Sequence, residues 1–148
     1  MLPANLFQGL HSLQTLLLYE NQIVALEDGL FEDLSDLTRI SLSSNRLAFI
    51  AANVFHGLGN LGLLTFQLNK LVTLESGLFR GLRSLNTLQL HSNQLRTLPA
   101  DLFQDLDSLQ VLYIYDNELG SLEVGLFQGL NSLEILYLYD NQISSLDV

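Results

Sequence analysis

The stretch Leu109-Gln110-Val111-Leu112-Tyr113-Ile114-Tyr115-Asp116-Asn117-Glu118-Leu119 decides how this chain folds. Leu112 and Ile114 alternate with their neighbours, as a short strand with one buried face requires. An asparagine follows where such a strand must turn, and Leu119 closes the frame L-x-x-L-x-L-x-x-N-x-L. The frame recurs near the start as Leu13, Leu16, Leu18, Asn21 and Ile23. Asparagines stand at Asn21, Asn45, Asn69, Asn93, Asn117 and Asn141, and phenylalanines at Phe7, Phe31, Phe55, Phe79, Phe103 and Phe127, every step being 24 residues without an insertion. A fixed period of this length predicts a solenoid, in which each coil buries its apolar side only by stacking on its neighbours.

Each column of the repeat has a physical reading. Stacked x-L-x-L-x segments build a parallel sheet. The asparagine amide, buried at the turn, is expected to satisfy backbone groups of its own coil and the next, which a turn inside a core would leave unpaired. The phenylalanines fill the opposite, convex side of each coil. Gly9, Gly29, Gly57, Gly77, Gly81, Gly125 and Gly129 fall at repeat positions on that connecting side, where tight turns are needed.

These in-phase copies resemble the leucine-rich repeat family over essentially the whole chain. The L-F-x-x-L segment, as in Leu98-Pro99-Ala100-Asp101-Leu102-Phe103-Gln104-Asp105-Leu106, is similar to the extracellular 24-residue type found in Toll-like receptor ectodomains. It is most similar to the variable lymphocyte receptors of jawless vertebrates. The Leu-Pro step of that pattern is kept only at Leu2-Pro3 and Leu98-Pro99, and the cysteine-bearing caps of those receptors have no counterpart in a chain with 0 Cys. The resemblance implies an α/β leucine-rich-repeat solenoid of horseshoe shape, with a parallel β-sheet on the concave face and an irregular or 3-10 convex side. Residues 1–148 then form a single domain of six strand-bearing repeats without cysteine caps. The same resemblance implies an extracellular place, secreted or on the cell surface.

The columns that point away from the core carry the functional signal. All 5 tyrosines fall in two concave columns, and Tyr113, Tyr115, Tyr137 and Tyr139 occupy the last two coils. Neighbouring strands lie about 4.8 Å apart, so these four form one aromatic patch with Val111 and Ile135 beside it. Tyrosine offers large contact area at low entropic cost together with a hydroxyl, which is why binding surfaces are rich in it. Gln89, His91 and the rim carboxylates Asp116 and Asp140 are expected to supply hydrogen bonds to a protein or carbohydrate ligand. No metal is expected there, since two carboxylates are too few for calcium and His91 has no second ligand at suitable spacing.

With Lys+Arg 6 against Asp+Glu 16, the formal charge of −10 argues against nucleic acid as a partner. The charge is segregated: all the bases lie between Arg39 and Arg96, with acidic segments on either side. No apolar run reaches the length of a membrane span, and no glycine-rich phosphate loop, partnered serine or enclosed carboxylate pair points to catalysis or a cofactor. The expected function is therefore a non-enzymatic recognition module resembling variable lymphocyte receptors, binding microbial or foreign surface molecules in immune-type recognition. The alternative is a structural or adhesion segment of a larger surface receptor, mediating homophilic or protein–protein contact. An uncapped terminal coil exposes its core and a free sheet edge near Leu16 or Leu136, which predicts a homodimer through a terminal coil.

Overall fold

The computed structural model describes residues 2–146. Its strands are β1 (Thr15–Leu17), β2 (Ala25–Leu26), β3 (Arg39–Ser41), β4 (Phe49–Ile50), β5 (Leu63–Thr65), β6 (Thr87–Gln89), β7 (Val111–Tyr113), β8 (Ser121–Leu122), β9 (Ile135–Tyr137) and β10 (Ser145–Leu146). β1, β3, β5, β6, β7 and β9 form a 6-stranded sheet in that order, parallel throughout. The register follows the repeat, with Leu64 opposite Leu88 and Leu88 opposite Leu112. Coils are numbered here from 1 to 6 by the sheet strand that each carries. Two smaller parallel pairs, β2 with β4 and β8 with β10, lie where the chain leaves the asparagine turn.

The asparagine column satisfies backbone groups as its position predicts, but its partners outside its own coil lie in the preceding coil and not in the next. Asn69 Nδ2 donates to the carbonyls of Phe66 in its own coil (2.8 Å) and Leu42 in the coil before (3.0 Å), while its Oδ1 accepts the Leu47 amide (2.9 Å). Asn45, Asn93, Asn117 and Asn141 repeat this pattern.

Behind the sheet, Ile40, Leu42, Leu64, Phe66, Leu88, Leu90, Leu112 and Ile114 are fully buried. From the convex side the phenylalanines meet them in a near-parallel column, with ring centroids 6.1 Å apart for Phe7–Phe31 and 6.0 Å for Phe31–Phe55. Phe66 replaces the leucine of its column and sits edge-on to Phe55 at 5.7 Å, thickening the core of coil 3.

Among the described residues the convex side contains neither α nor 3-10 helix, so the helical part of the expected α/β solenoid is reduced to turns. The bonds there do span three residues, as in a 3-10 helix: Glu32 N–H to Gly29, Leu34 to Phe31, Leu37 to Leu34. They are staggered rather than consecutive, because the turns pass through the left-handed region. The seven glycines singled out above all have positive φ, and Asp105 adopts φ 70° where Gly57 and Gly81 stand in other coils.

Candidate functional site

Alternation along β7 and β9 sends Leu112 and Leu136 inward and their neighbours onto the concave face. Val111 therefore stands opposite Ile135, Tyr113 opposite Tyr137, and Gln89 opposite Tyr113. The tyrosine rings stack between coils, Tyr113 on Tyr137 at 4.9 Å and Tyr115 on Tyr139 at 4.5 Å, with interplanar angles of 12° and 10°. His91 extends the second row, its ring 4.3 Å from Tyr115 and nearly parallel to it. The two rows lean on each other through Tyr113–Tyr115 (6.1 Å) and Tyr137–Tyr139 (5.8 Å).

This stacking decides what the block presents to solvent. Tyr115 has one face against His91 and the other against Tyr139, so its edge and hydroxyl are what remain to meet a ligand, whereas Tyr137 and Tyr139 each have a ring stacked on one face only among the described residues. Exposure rises toward the last coil, where Tyr137 is 43% and Tyr139 54% accessible. The Tyr139 phenol is held above its ordinary pKa by packing against its neighbours, then by Tyr115 and Asp140, and so stays a neutral hydroxyl at physiological pH.

His91 is the polar centre of the block. Its Nδ1 is buried without a hydrogen-bond partner, and burial lowers its pKa against an opposing pull from Asp116. Asp116 and Asp140 lie exposed at the rim with φ of 55° and 53°. Short polar side chains tolerate that left-handed turn, and the equivalent residues Glu20, Ser44 and Ser92 adopt it too. Among the described residues no group of three or more His, Cys, Asp or Glu is placed to hold a metal ion.

The concave residues singled out from sequence thus come together on coils 4 to 6, from Gln89 and His91 to Asp140. Coils 2 and 3 offer a different surface in the same columns. There Thr65 is buried and its hydroxyl donates to Ser41 Oγ (2.9 Å), which lies 3.3 Å from Ser43 Oγ. Sequence reading passed over Leu68, the one apolar side chain in the left-handed rim column, which has φ 59° and is 58% exposed. Its signal was legible as a leucine in a column of Ser, Asp and Glu. Leu17 and Tyr19, also exposed, form a separate apolar spot on coil 1. The larger recesses lie between convex turns, as where Asp28, Gly29, Glu32, Asn53, Val54 and His56 meet, and the tyrosine block is an open surface.

A family model described as Leucine rich repeat matches residues 1–47, 11–71, 35–95, 60–119 and 107–147. Among solved structures, the chain is similar to a leucine-rich repeat protein of Leptospira interrogans, at 31% identity and a TM-score of 0.84. The alignment covers 97% of this chain and 35% of that one, so this chain spans about a third of the other's length. No curated protein matches it. No helix among the described residues is long and apolar enough to cross a membrane.

Proposed function

The chain belongs to the leucine-rich repeat family, whose domains commonly bind proteins and are generally non-enzymatic, and on that premise we propose a recognition module whose partner docks on the concave face of the last coils. The observation that carries this reading is the stacked block of His91, Tyr113, Tyr115, Tyr137 and Tyr139. These side chains stand outside the core, and the same columns in coils 2 and 3 carry Ser, Thr and Gln without loss of the fold. The block offers edges and hydroxyls bordered by Asp116 and Asp140, together with the outer ring faces of Tyr137 and Tyr139, which are stacked on one side only among the described residues. That chemistry suits a protein surface carrying hydrogen-bonding or basic groups, and the exposed faces on the last coil suit a sugar ring.

The finer reading is recognition of microbial or foreign surface molecules outside the cell, in the manner of variable lymphocyte receptors. Its support is the L-F-x-x-L frame and the concentration of tyrosine on the concave face. A second reading, homophilic contact or dimerisation through a terminal coil, is favoured by a different observation. Leu16, Leu18, Leu136 and Leu138 are only partly buried, whereas their counterparts in coils 2 to 5 are fully buried.

The test compares wild type with a variant carrying Ser at Tyr113, Tyr115, Tyr137 and Tyr139, for binding to whole bacteria, purified surface proteins and glycans, with light scattering in parallel. Binding by wild type that falls at least about tenfold in the variant, at unchanged mass, supports the concave receptor. Equal binding by both proteins overturns it. A change of mass on substitution transfers the block to self-association.

A further inference from the structure

A second unusual surface lies on the flank where the chain leaves the asparagine turn, at the opposite end of the solenoid from the tyrosines. The outward column there reads Val24, Ala48 and Val72 in coils 1 to 3, then Arg96, Gly120 and Ser144. In the next column Phe49 stands where later coils have Thr73, Thr97 and Ser121. Val24 and Phe49 are each 47% exposed, although the polar residues of coils 4 to 6 serve the same backbone positions. Leu68 adds an exposed leucine at the adjoining rim, in a left-handed conformation that disfavours bulky side chains. None of these three returns core burial for its exposure.

Between these apolar groups stand Arg46 and Lys70, in the same outward column of neighbouring coils and both exposed. Arg80 lies near Asp101 (3.8 Å) and Arg96 bonds Glu118 (3.0 Å), while Arg46 and Lys70 have no ion-pair partner among the described residues. Coils stack about 4.8 Å apart, so both cations are within reach of one carboxylate or of two successive ones. Glu27 and Glu75 lie further along their coils and limit the positive patch to the strip between them. The net charge of −10 disfavours a polyanion such as nucleic acid or an anionic bilayer. It bears less on a single contact pair, because charges beyond a Debye length of about 8 Å are largely screened.

We propose that this flank is a docking surface for a protein segment that presents a carboxylate among apolar side chains. Arg46 and Lys70 take the carboxylate, and Val24, Phe49 and Leu68 cover the apolar groups on either side. The surface shares no residue with the tyrosine block and stands or falls independently of it.

Short random peptides displayed on phage would be selected on the full chain and on a variant carrying Arg46→Gln, Phe49→Thr, Leu68→Ser and Lys70→Gln. Each replacement is a residue the chain itself uses at the equivalent position (Gln94, Thr97, Ser92), so the repeat frame is kept; circular dichroism and a melting curve check this, and Phe49→Thr alone is the fallback. The expected peptides pair Asp or Glu with aliphatic or aromatic residues and bind the variant at least about tenfold more weakly. They bind the tetra-serine tyrosine variant as well as wild type, and Arg46→Glu with Lys70→Glu shifts selection toward Lys-bearing peptides. Peptides without acidic residues, equal binding to the flank variant, or no enrichment over it overturns the proposal. So does a wild type that self-associates in light scattering while the flank variant is a monomer, which would make the occupant a second copy.

Discussion

His91 is the one side chain of the tyrosine block whose charge changes near neutral pH. Its ring is packed 4.3 Å from Tyr115, and its buried Nδ1 has no acceptor to meet a second proton. Burial therefore holds its folded pKa below the ordinary 6.5, and Asp116 offsets this only in part. The unfolded chain then takes up the proton first. Stability is complete above the unfolded value and drains as pH falls from there through the folded value. Relative to His91→Gln, which places at position 91 the glutamine found at Gln67, the urea midpoint of wild type should fall between about pH 7 and pH 5. A gap between the two proteins that stays flat over that window, or an imidazole titration centred above the ordinary value, overturns this. The sequence showed that His91 shares a concave column with Tyr115 and Tyr139. It did not show that three rings would stack closely enough to bury an imidazole nitrogen, because side-chain torsions are set by neighbours in the adjacent coils. Leu68 is the converse case: its column was readable, and the weight of a leucine there became evident only with the backbone's positive φ.

At the scale of the element, the asparagine turn is what makes a coil depend on the one before it. Asn69 is buried and serves the Leu47 amide and the carbonyls of Leu42 and Phe66, so Asn69→Ala orphans the Leu47 amide, while the two carbonyls lose one donor each and keep the amides of Asn45 and Asn93. With one unsatisfied group at roughly 1–3 kcal/mol and two further hydrogen bonds lost at about 0.5–1.5 kcal/mol each, the loss should be about 2–4 kcal/mol. Asn21, in coil 1, is exposed and donates only to Leu18 (3.1 Å) and Tyr19 (3.2 Å) of its own coil. Asn21→Ala should cost about 1 kcal/mol or less. Urea unfolding of the two variants gives the comparison, and equal losses would mean that the amide acts within its own coil alone. The existence of this element was legible because the polar residue recurs in step with the apolar ones. The convex turns were less so: their bonds span three residues, but the glycines there and Asp105 carry the backbone through positive φ and break any continuous helix.

In the whole molecule, every coil is stabilised by its neighbours, and burial follows from place in the stack. Ile40, Leu64, Leu88 and Leu112 are inaccessible to solvent, whereas Leu16 and Leu136 at either end are only partly covered. The count and order of coils could be read from the unbroken period, as could the confinement of bases to the middle. The aromatic block on the last coils was legible in the concave columns, whereas the apolar flank on coils 1 to 3 became evident only from the exposure of Val24, Phe49 and Leu68. Because stability in such a stack is close to a sum over coil interfaces, unfolding should begin at the ends. Amide exchange should be slowest in β5 and β6, tracking global unfolding there, and faster in β1 and β9. Between the two ends a difference is expected, since stacking of Tyr137 on Tyr113 and of Tyr139 on Tyr115 ties coil 6 to coil 5. Each stacked pair contributes about 0.5–1.5 kcal/mol beyond its buried area, so replacing all four tyrosines by serine should speed exchange in β9 by roughly tenfold or more. β1 should be unaffected, because no coil that carries the block touches it. Uniform acceleration along the chain would mean that the solenoid opens as one cooperative unit, and the tyrosine block would then be part of the global fold rather than a surface laid on its last coils.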